Sequence, residues 1–290
     1  MFKKVRIFLE MIKIEHTLFA LPFAFMGAIL GSVVATGHLP SWAQIGWILM
    51  AMFGARSAAF GLNRLIDQHI DKKNPRTANR AIPAGLLKAG EVIIFIMISF
   101  ALLVWAALEL DPLALKLMPI AVFFLVIYSY TKRFTWLCHV VLGLTIGLAP
   151  LGGWVAVTGE IDWAAIIFYL TVALWTAGFD VIYACQDIEF DRQEGVHSIP
   201  ARFGLNKALK IAQGFHVLTA IGFIVLWLTT QLSWWYLAGM IIAYIILFYE
   251  HYIVTPNDLS RLQTAFFTMN GALSIVVFLF TWIDLVVQLG

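Results

Sequence analysis

Asp67 and Asp71 stand four residues apart in NRLIDQHIDKKNPRTANRAIPAG (residues 63–85), with Asn63 four residues before them. On a helix that continues through them all three share one face. Like charges at that spacing cost a few tenths of a kcal/mol on an exposed helix, and more beside a membrane. A compensating cation is therefore expected. Hard oxygens from one or two carboxylates, completed by phosphate and water, are how proteins hold Mg²⁺.

The pattern returns in GFDVIYACQDIEFDRQEGVHSIPARFG (residues 178–204), where Tyr183, Asp187 and Asp191 repeat the spacing of Asn63, Asp67 and Asp71. Each triplet follows a long apolar run and precedes a basic loop containing proline, NPRTANRAIPAG or RQEGVHSIPARFG. One such pair is an ordinary solvated helix end. Two in phase suggest related halves facing each other across a central cavity. Arg56 lies seven residues before Asn63, and Asp180 seven before Asp187. An arginine within an apolar span is expensive and marks function. The two are expected on the cavity floor, with a structural ion pair between them as the plainer alternative.

These residues need elements to hold them, and the composition says which. Of 290 residues, 61% are hydrophobic and 12% charged, about half the charged fraction (~25%) of a soluble domain. Apolar runs fall at about 17–36, 43–66, 91–110, 113–130, 137–157, 163–185, 208–230, 234–250 and 263–288. Each is near the ~17–25 residues that cross a bilayer. The expected fold is an all-α polytopic membrane protein with nine transmembrane helices, over residues 1–290 as one integral domain. The N-terminal stretch MFKKVRIFLEMIKIEHTLF is basic and amphipathic with no small-residue cleavage site. It reads as an interfacial helix.

Lys and Arg cluster in alternate connections: Lys3, Lys4, Arg6 and Lys13; Arg64 to Lys88; Lys132 and Arg133; Arg192 to Lys207; Arg261. The intervening connections hold only Lys116. The positive-inside bias places the N-terminus and both long loops, 67–90 and 187–207, in the cytoplasm, and the C-terminus opposite. The site would thus sit at a cytoplasmic membrane face. The net charge of +2, with no basic stripe, gives no reason to expect nucleic acid. Cys138 and Cys185 are expected as reduced thiols. The seven histidines show no metal-ligand spacing, and His69, His139 and His197 read as loop residues.

The stretches NRLIDQHIDKKNPRTANRAIPAG, YSYTKRFT and YACQDIEFDRQEGVHSIPARFG resemble the three signature regions of the UbiA family of intramembrane aromatic prenyltransferases, most closely its 4-hydroxybenzoate polyprenyltransferase and menaquinone-pathway branches. The resemblance implies two four-helix halves (about 17–130 and 137–250) plus a ninth helix (263–288) around a lipid-accessible cavity capped by polar loops. It implies that Asn63, Asp67, Asp71, Asp187 and Asp191 hold Mg²⁺ and a polyprenyl diphosphate, with the four aspartates catalytic. Lys132 and Arg133 match basic residues that take diphosphate oxygens. Arg56 matches an arginine near the aromatic acid acceptor, and Tyr183 the second motif's tyrosine; Asp180 joins them as a substrate-binding residue. The implied reaction prenylates 4-hydroxybenzoate ortho to its hydroxyl, for ubiquinone, with Asp191 or Asp187 near the phenol proton. A hydroxynaphthoate, for menaquinone, is the alternative acceptor. Beyond substrates and membrane lipid, no obligate protein partner is implied.

A transporter is the rival of another class, since repeats with intramembrane charges occur there too. Paired carboxylates at helix ends beside basic loops fit diphosphate better than a midplane ion site. The 23 Phe and 11 Trp would suit an isoprenoid tail, but aromatics are ordinary in membrane spans.

Overall fold

In the computed structural model, residues 2–12 and 17–290 are described. Among them the chain is all-helical, with α1 at Phe2–Met11, α2 at Thr17–Thr36, α3 at Trp42–Ile66 and a short α4 at Gln68–Lys73. α5 (Ala89–Leu108), α6 (Pro112–Thr131), α7 (Cys138–Thr158) and α8 (Trp163–Ala184) follow. Beyond α8 come short α9 (Ile188–Glu194) and α10 (Ile199–Phe203), then α11 (Leu205–Thr229), α12 (Trp234–Ile253) and α13 (Asn270–Leu289). Eight helical stretches among the described residues are long and apolar enough to cross a membrane; Ala20–Thr36 is apolar but shorter. The expected interfacial helix is α1, buried through Phe8 and Met11 against α5; its expected continuation through residues 13–16 lies outside the described residues.

The ends of these helices are written in local sequence. Ser41 opens α3 with a capping box: Gln44 N donates to its Oγ at 3.2 Å and Ser41 N donates to Gln44 Oε1 at 2.9 Å. Asp162 accepts from Ala165 N at 2.8 Å to open α8. Pro112 follows the cap Asp111, dividing LELDPLALKLMP between α5 and α6. α12 is capped from another helix. Asp284 of α13, fully buried, accepts from Ser233 N (2.9 Å) and Tyr236 N (2.8 Å).

α7 lies between α2 and α8 at backbone contact. A Cβ on Gly153 would fall 2.1 Å from the Ala24 carbonyl oxygen, and one on Gly143 2.2 Å from that of Ala173. Small residues permit this approach in lipid, where burying apolar surface gives helices no reason to associate. α8 is the most buried span, with Trp175–Phe179, Val181 and Ile182 all inaccessible. Trp42, Trp163 and Trp234, each at a helix start away from the carboxylate motifs, are 78–90% exposed. Such a ring of indoles is the interfacial belt of a membrane protein.

Replacing Gly153 by Val forces α2 and α7 apart at a rigid carbonyl, at a cost of about 1–3 kcal/mol. Thermal unfolding in detergent should show a clear fall in Tm. An unchanged Tm would mean that the α2–α7 contact is looser than described.

Candidate active site

Each acidic motif sits where a span breaks. α3 stops at Ile66, and Asp67 takes φ −88°, ψ 0° before α4 resumes. α8 gives way to one 3₁₀ turn at Cys185–Asp187, and Asp187 takes φ −103°, ψ 8° before α9. Both first aspartates thus adopt the sparsely used bridge conformation. The expectation of a helix continuing through each motif is corrected at this one residue. The four-residue stacking survives in the first motif, where Asp71 N donates to the Asp67 carbonyl at 2.8 Å.

Cations from neighbouring segments neutralise three of the four carboxylates. Asp67, fully buried, has Lys132 Nζ 2.6 Å from Oδ2 and Arg133 Nη1 3.0 Å from Oδ1. Asp71 holds Arg80 at 2.6 Å. Arg76 grips Asp187 with two bonds, Nε to Oδ1 at 3.0 Å and Nη2 to Oδ2 at 2.6 Å, and Asn74 donates to Oδ1 at 3.1 Å. Burial alone would lower the Arg76 pKa; the hydrogen bond and charge of Asp187 outweigh it and raise it. Asp191 accepts from Ser198 Oγ at 2.7 Å. The first motif's loop therefore closes on the second motif, and Lys73 to Glu194 at 2.6 Å fastens the same pair of loops from outside.

The remaining expected residues fall around this cluster. Asn63 Nδ2 donates to Asp67 Oδ2 at 2.8 Å, while its carbonyl oxygen takes Arg64 at 3.0 Å, so it orients the carboxylate. Tyr183 lies beside Arg76, its hydroxyl accepting from Nη1 at 3.4 Å and its ring 4.0 Å from that of Phe266. Phe266, Phe179, Trp175 and Phe23 continue that stack inward, and their burial makes it core packing rather than an open tail channel. Arg56 reaches the Ile12 carbonyl at 3.3 Å and lies over Phe60, 4.5 Å from its centroid. Asp180 bonds His139 at 2.6 Å. Arg56 and Asp180 are not brought together as an ion pair.

Sequence reasoning passed over Asn74, Arg76, Arg80, Ser198 and His139. The only signal for the arginines was the excess of cations in the 67–90 loop, which does not say which carboxylate each meets. His139 is a correction: it is buried at the start of α7, not a loop residue. Both cysteines are free thiols, as expected. Between the loops lies a cavity of about 220 Å³, lined in part by Lys73, Lys132, Arg133 and Glu194.

The donor set fits Mg²⁺. Asp67 Oδ1 and Asp71 Oδ2 are buried without a hydrogen bond, Arg133 touching the former only as an ion-pair contact. Among the described residues no three Asp, Glu, His or Cys side chains converge as a closed metal cage. That is the arrangement expected where one or two carboxylates share the ion with substrate phosphate.

Comparison with known proteins places the fold. Residues 21–273 match the UbiA prenyltransferase family. The 4-hydroxybenzoate octaprenyltransferase of Vibrio campbellii is 30% identical over 241 residues, covering 82% of this chain and 84% of that one. The mitochondrial 4-hydroxybenzoate polyprenyltransferase of Arabidopsis thaliana is 36% identical over 211 residues, 70% of this chain and 50% of that one. The apo structure of a UbiA homolog from Aeropyrum pernix K1 superposes with a TM-score of 0.84 at 29% identity, covering 94% of this chain and 98% of that one. A UbiA homolog from Archaeoglobus fulgidus, bound to GPP and Mg²⁺, shares the fold at a TM-score of 0.76 and 20% identity, covering 97% and 99%.

The two motifs should differ in what they contribute to stability. Asp67→Ala empties a fully buried position and removes the shared acceptor of Lys132, Arg133 and Asn63, a loss of about 1–3 kcal/mol. Asp187→Ala frees a partly exposed Arg76 that water can solvate, a loss of about 1 kcal/mol. Urea or thermal unfolding of the two variants should rank them in that order, and the reverse order would contradict the burial described.

Proposed function

The chain belongs to the UbiA prenyltransferase family, and from that premise we propose that it transfers a polyprenyl group from a polyprenyl diphosphate to 4-hydroxybenzoate, ortho to the hydroxyl, in ubiquinone biosynthesis. The observation that carries this reading is the cross-bonding of the two acidic motifs, with Asn74 and Arg76 of the first loop both on Asp187 of the second. Four carboxylates and Lys132, Arg133, Arg76 and Arg80 are thereby linked by ion pairs and hydrogen bonds across the two loops, a composition suited to a diphosphate with its metal. The names of the Vibrio and Arabidopsis relatives support the acceptor, and the GPP- and Mg²⁺-bound archaeal relative supports the donor and the ion.

The reading includes the whole frame. Residues 1–290 form one integral domain of nine spans, in halves of about 17–130 and 137–250 plus a ninth helix at 263–288. The N-terminus and the site face the cytoplasm, in keeping with the basic connections on that side.

The reaction breaks the allylic C–O bond of the donor, its electron pair leaving on the diphosphate. The ring carbon ortho to the phenol bonds the allylic carbon, and the ring proton is lost. Mg²⁺ ions, each held by one or two carboxylates of the pairs Asp67/Asp71 and Asp187/Asp191 with Asn63 beside them, would neutralise the leaving diphosphate. Lys132, Arg133, Arg76 and Arg80 supply positive charge to the same oxygens by turning from the carboxylates they now hold. Tyr183 and its stacked rings keep water from the allylic cation. Arg56 takes the acceptor's carboxylate, and Asp180 faces the phenol end.

Purified protein with Mg²⁺, geranyl diphosphate and 4-hydroxybenzoate should release diphosphate and give a 3-geranyl product by mass, both abolished by EDTA. Asp187→Ala should lower turnover at least about 100-fold while the far-ultraviolet helix signal persists. Product only from 6-hydroxy-2-naphthoate would move the acceptor to the menaquinone type, and product from neither would overturn the reading.

Arg56→Ala should raise the acceptor KM by about tenfold or more and leave the donor KM near wild type. Equal changes in both would remove Arg56 from the acceptor site.

A further inference from the structure

Asp180 is the accessible carboxylate on a stretch of α8 whose neighbours, Trp175–Phe179, Val181 and Ile182, are all buried. Its side chain is 24% exposed. Tyr183, three residues on in the same helix and so on the same face, has its hydroxyl against Arg76, which holds Asp187; Asp180 therefore lies one turn below the acidic motifs.

One group orients it. His139 Nδ1 lies 2.6 Å from Asp180 Oδ2, and the backbone N–H of Ile199 donates to His139 Nε2 at 3.3 Å. With Nε2 accepting from Ile199, the proton that the ring offers Asp180 is the one on Nδ1. Among the described residues, Asp180 Oδ1 has no hydrogen-bond partner.

Ile199 in turn is not free to move. Ser198 beside it donates to Asp191. His197 N donates to the Lys132 carbonyl at 2.8 Å, and Cys138 Sγ donates to the His197 carbonyl at 3.3 Å. Three consecutive residues of the loop after the second acidic motif are thus fixed by Asp191, by the Lys132 turn and by the start of α7.

We propose that His139 is a positioning residue that holds the Asp180 side chain aimed at the hydroxyl of the aromatic acceptor, and that it does so through the segment 197–199 standing closed over Asp191. The inference rests on the prenyl-transfer reading for the identity of the acceptor, but not for the geometry of the relay. A phenol that donates to a carboxylate oxygen gains electron density at its ortho carbon, the position the allyl group must reach. Ser198 and His197 keep their own anchors on Asp191 and Lys132, so loss of the imidazole is felt on the acceptor side.

Two substitutions separate positioning from packing. His139→Leu removes donor and acceptor together; His139→Gln keeps one of each on an amide that cannot titrate. With geranyl diphosphate, Mg²⁺ and 4-hydroxybenzoate, His139→Leu should lower kcat/KM for the acceptor by about tenfold or more, while the donor KM stays within about twofold. His139→Gln should recover most of that loss. Equal loss in both variants, or equal effects on donor and acceptor, overturns the proposal and leaves His139 as packing. ¹⁵N spectra of histidine-labelled protein give a readout independent of turnover. The resonance absent from His139→Gln should report a protonated Nδ1 and a bare Nε2, and should move in Asp180→Asn. An imidazolium or the other tautomer overturns the relay. A wild-type enzyme that prenylates no acceptor would instead defeat the functional reading, with the spectrum still deciding this one.

Discussion

Negative charge cannot be buried at a membrane boundary unless positive charge is buried with it, and the rest of this structure follows from that constraint. Asp67 has no access to solvent, so Lys132 and Arg133 must come to it from the turn between α6 and α7. Asp187 draws Arg76 across from the other loop. Once those pairs form, the path of both long loops is settled. The helices that carry them must then end together, which the break at Asp67 and the 3₁₀ turn Cys185–Asp187 achieve.

The spans themselves are held by a different force. Between α2, α7 and α8 the contacts are backbone on backbone, made possible by Gly143 and Gly153. Polar groups finish the joints where the backbone would go unsatisfied. Asp284 closes the start of α12, and Asn270 donates to the carbonyls of Ala265 and Phe266 at the wide turn preceding α13. That turn presents Phe266 to Tyr183. A polar repair deep in the helix pair thus sets the wall of the site.

Hydropathy and charge made much of this legible before any coordinates. Eight of the nine expected spans correspond to helices long and apolar enough to cross, and the first to α2. The acidic triplets were visible because helix spacing alone brings Asp67 near Asp71. What sequence does not encode locally is which distant cation meets which carboxylate. Arg76 and Arg80 looked alike in the 74–85 loop, yet one crosses to the second motif and the other stays with the first. His139 was misread for the same reason: its meaning comes from Asp180 and Ile199, 41 and 60 positions away. The helix breaks escaped because Asp67 and Asp187 sit inside patterns that would suit an unbroken helix equally well.

The exposed indoles at the far ends of α3, α8 and α12 fix more than a boundary. α3 has 25 residues from Trp42, a length of about 38 Å against a hydrocarbon thickness of ~30 Å. With Trp42 anchored at one interface, Asp67 emerges at the headgroup level of the other. A substrate joining a long hydrocarbon tail to a charged head already rests at that altitude in the bilayer, its head among the phosphates and its tail among the acyl chains. The protein need not lift it out of the lipid, and a product that exchanges the diphosphate for a single carboxylate would stay in the same leaflet.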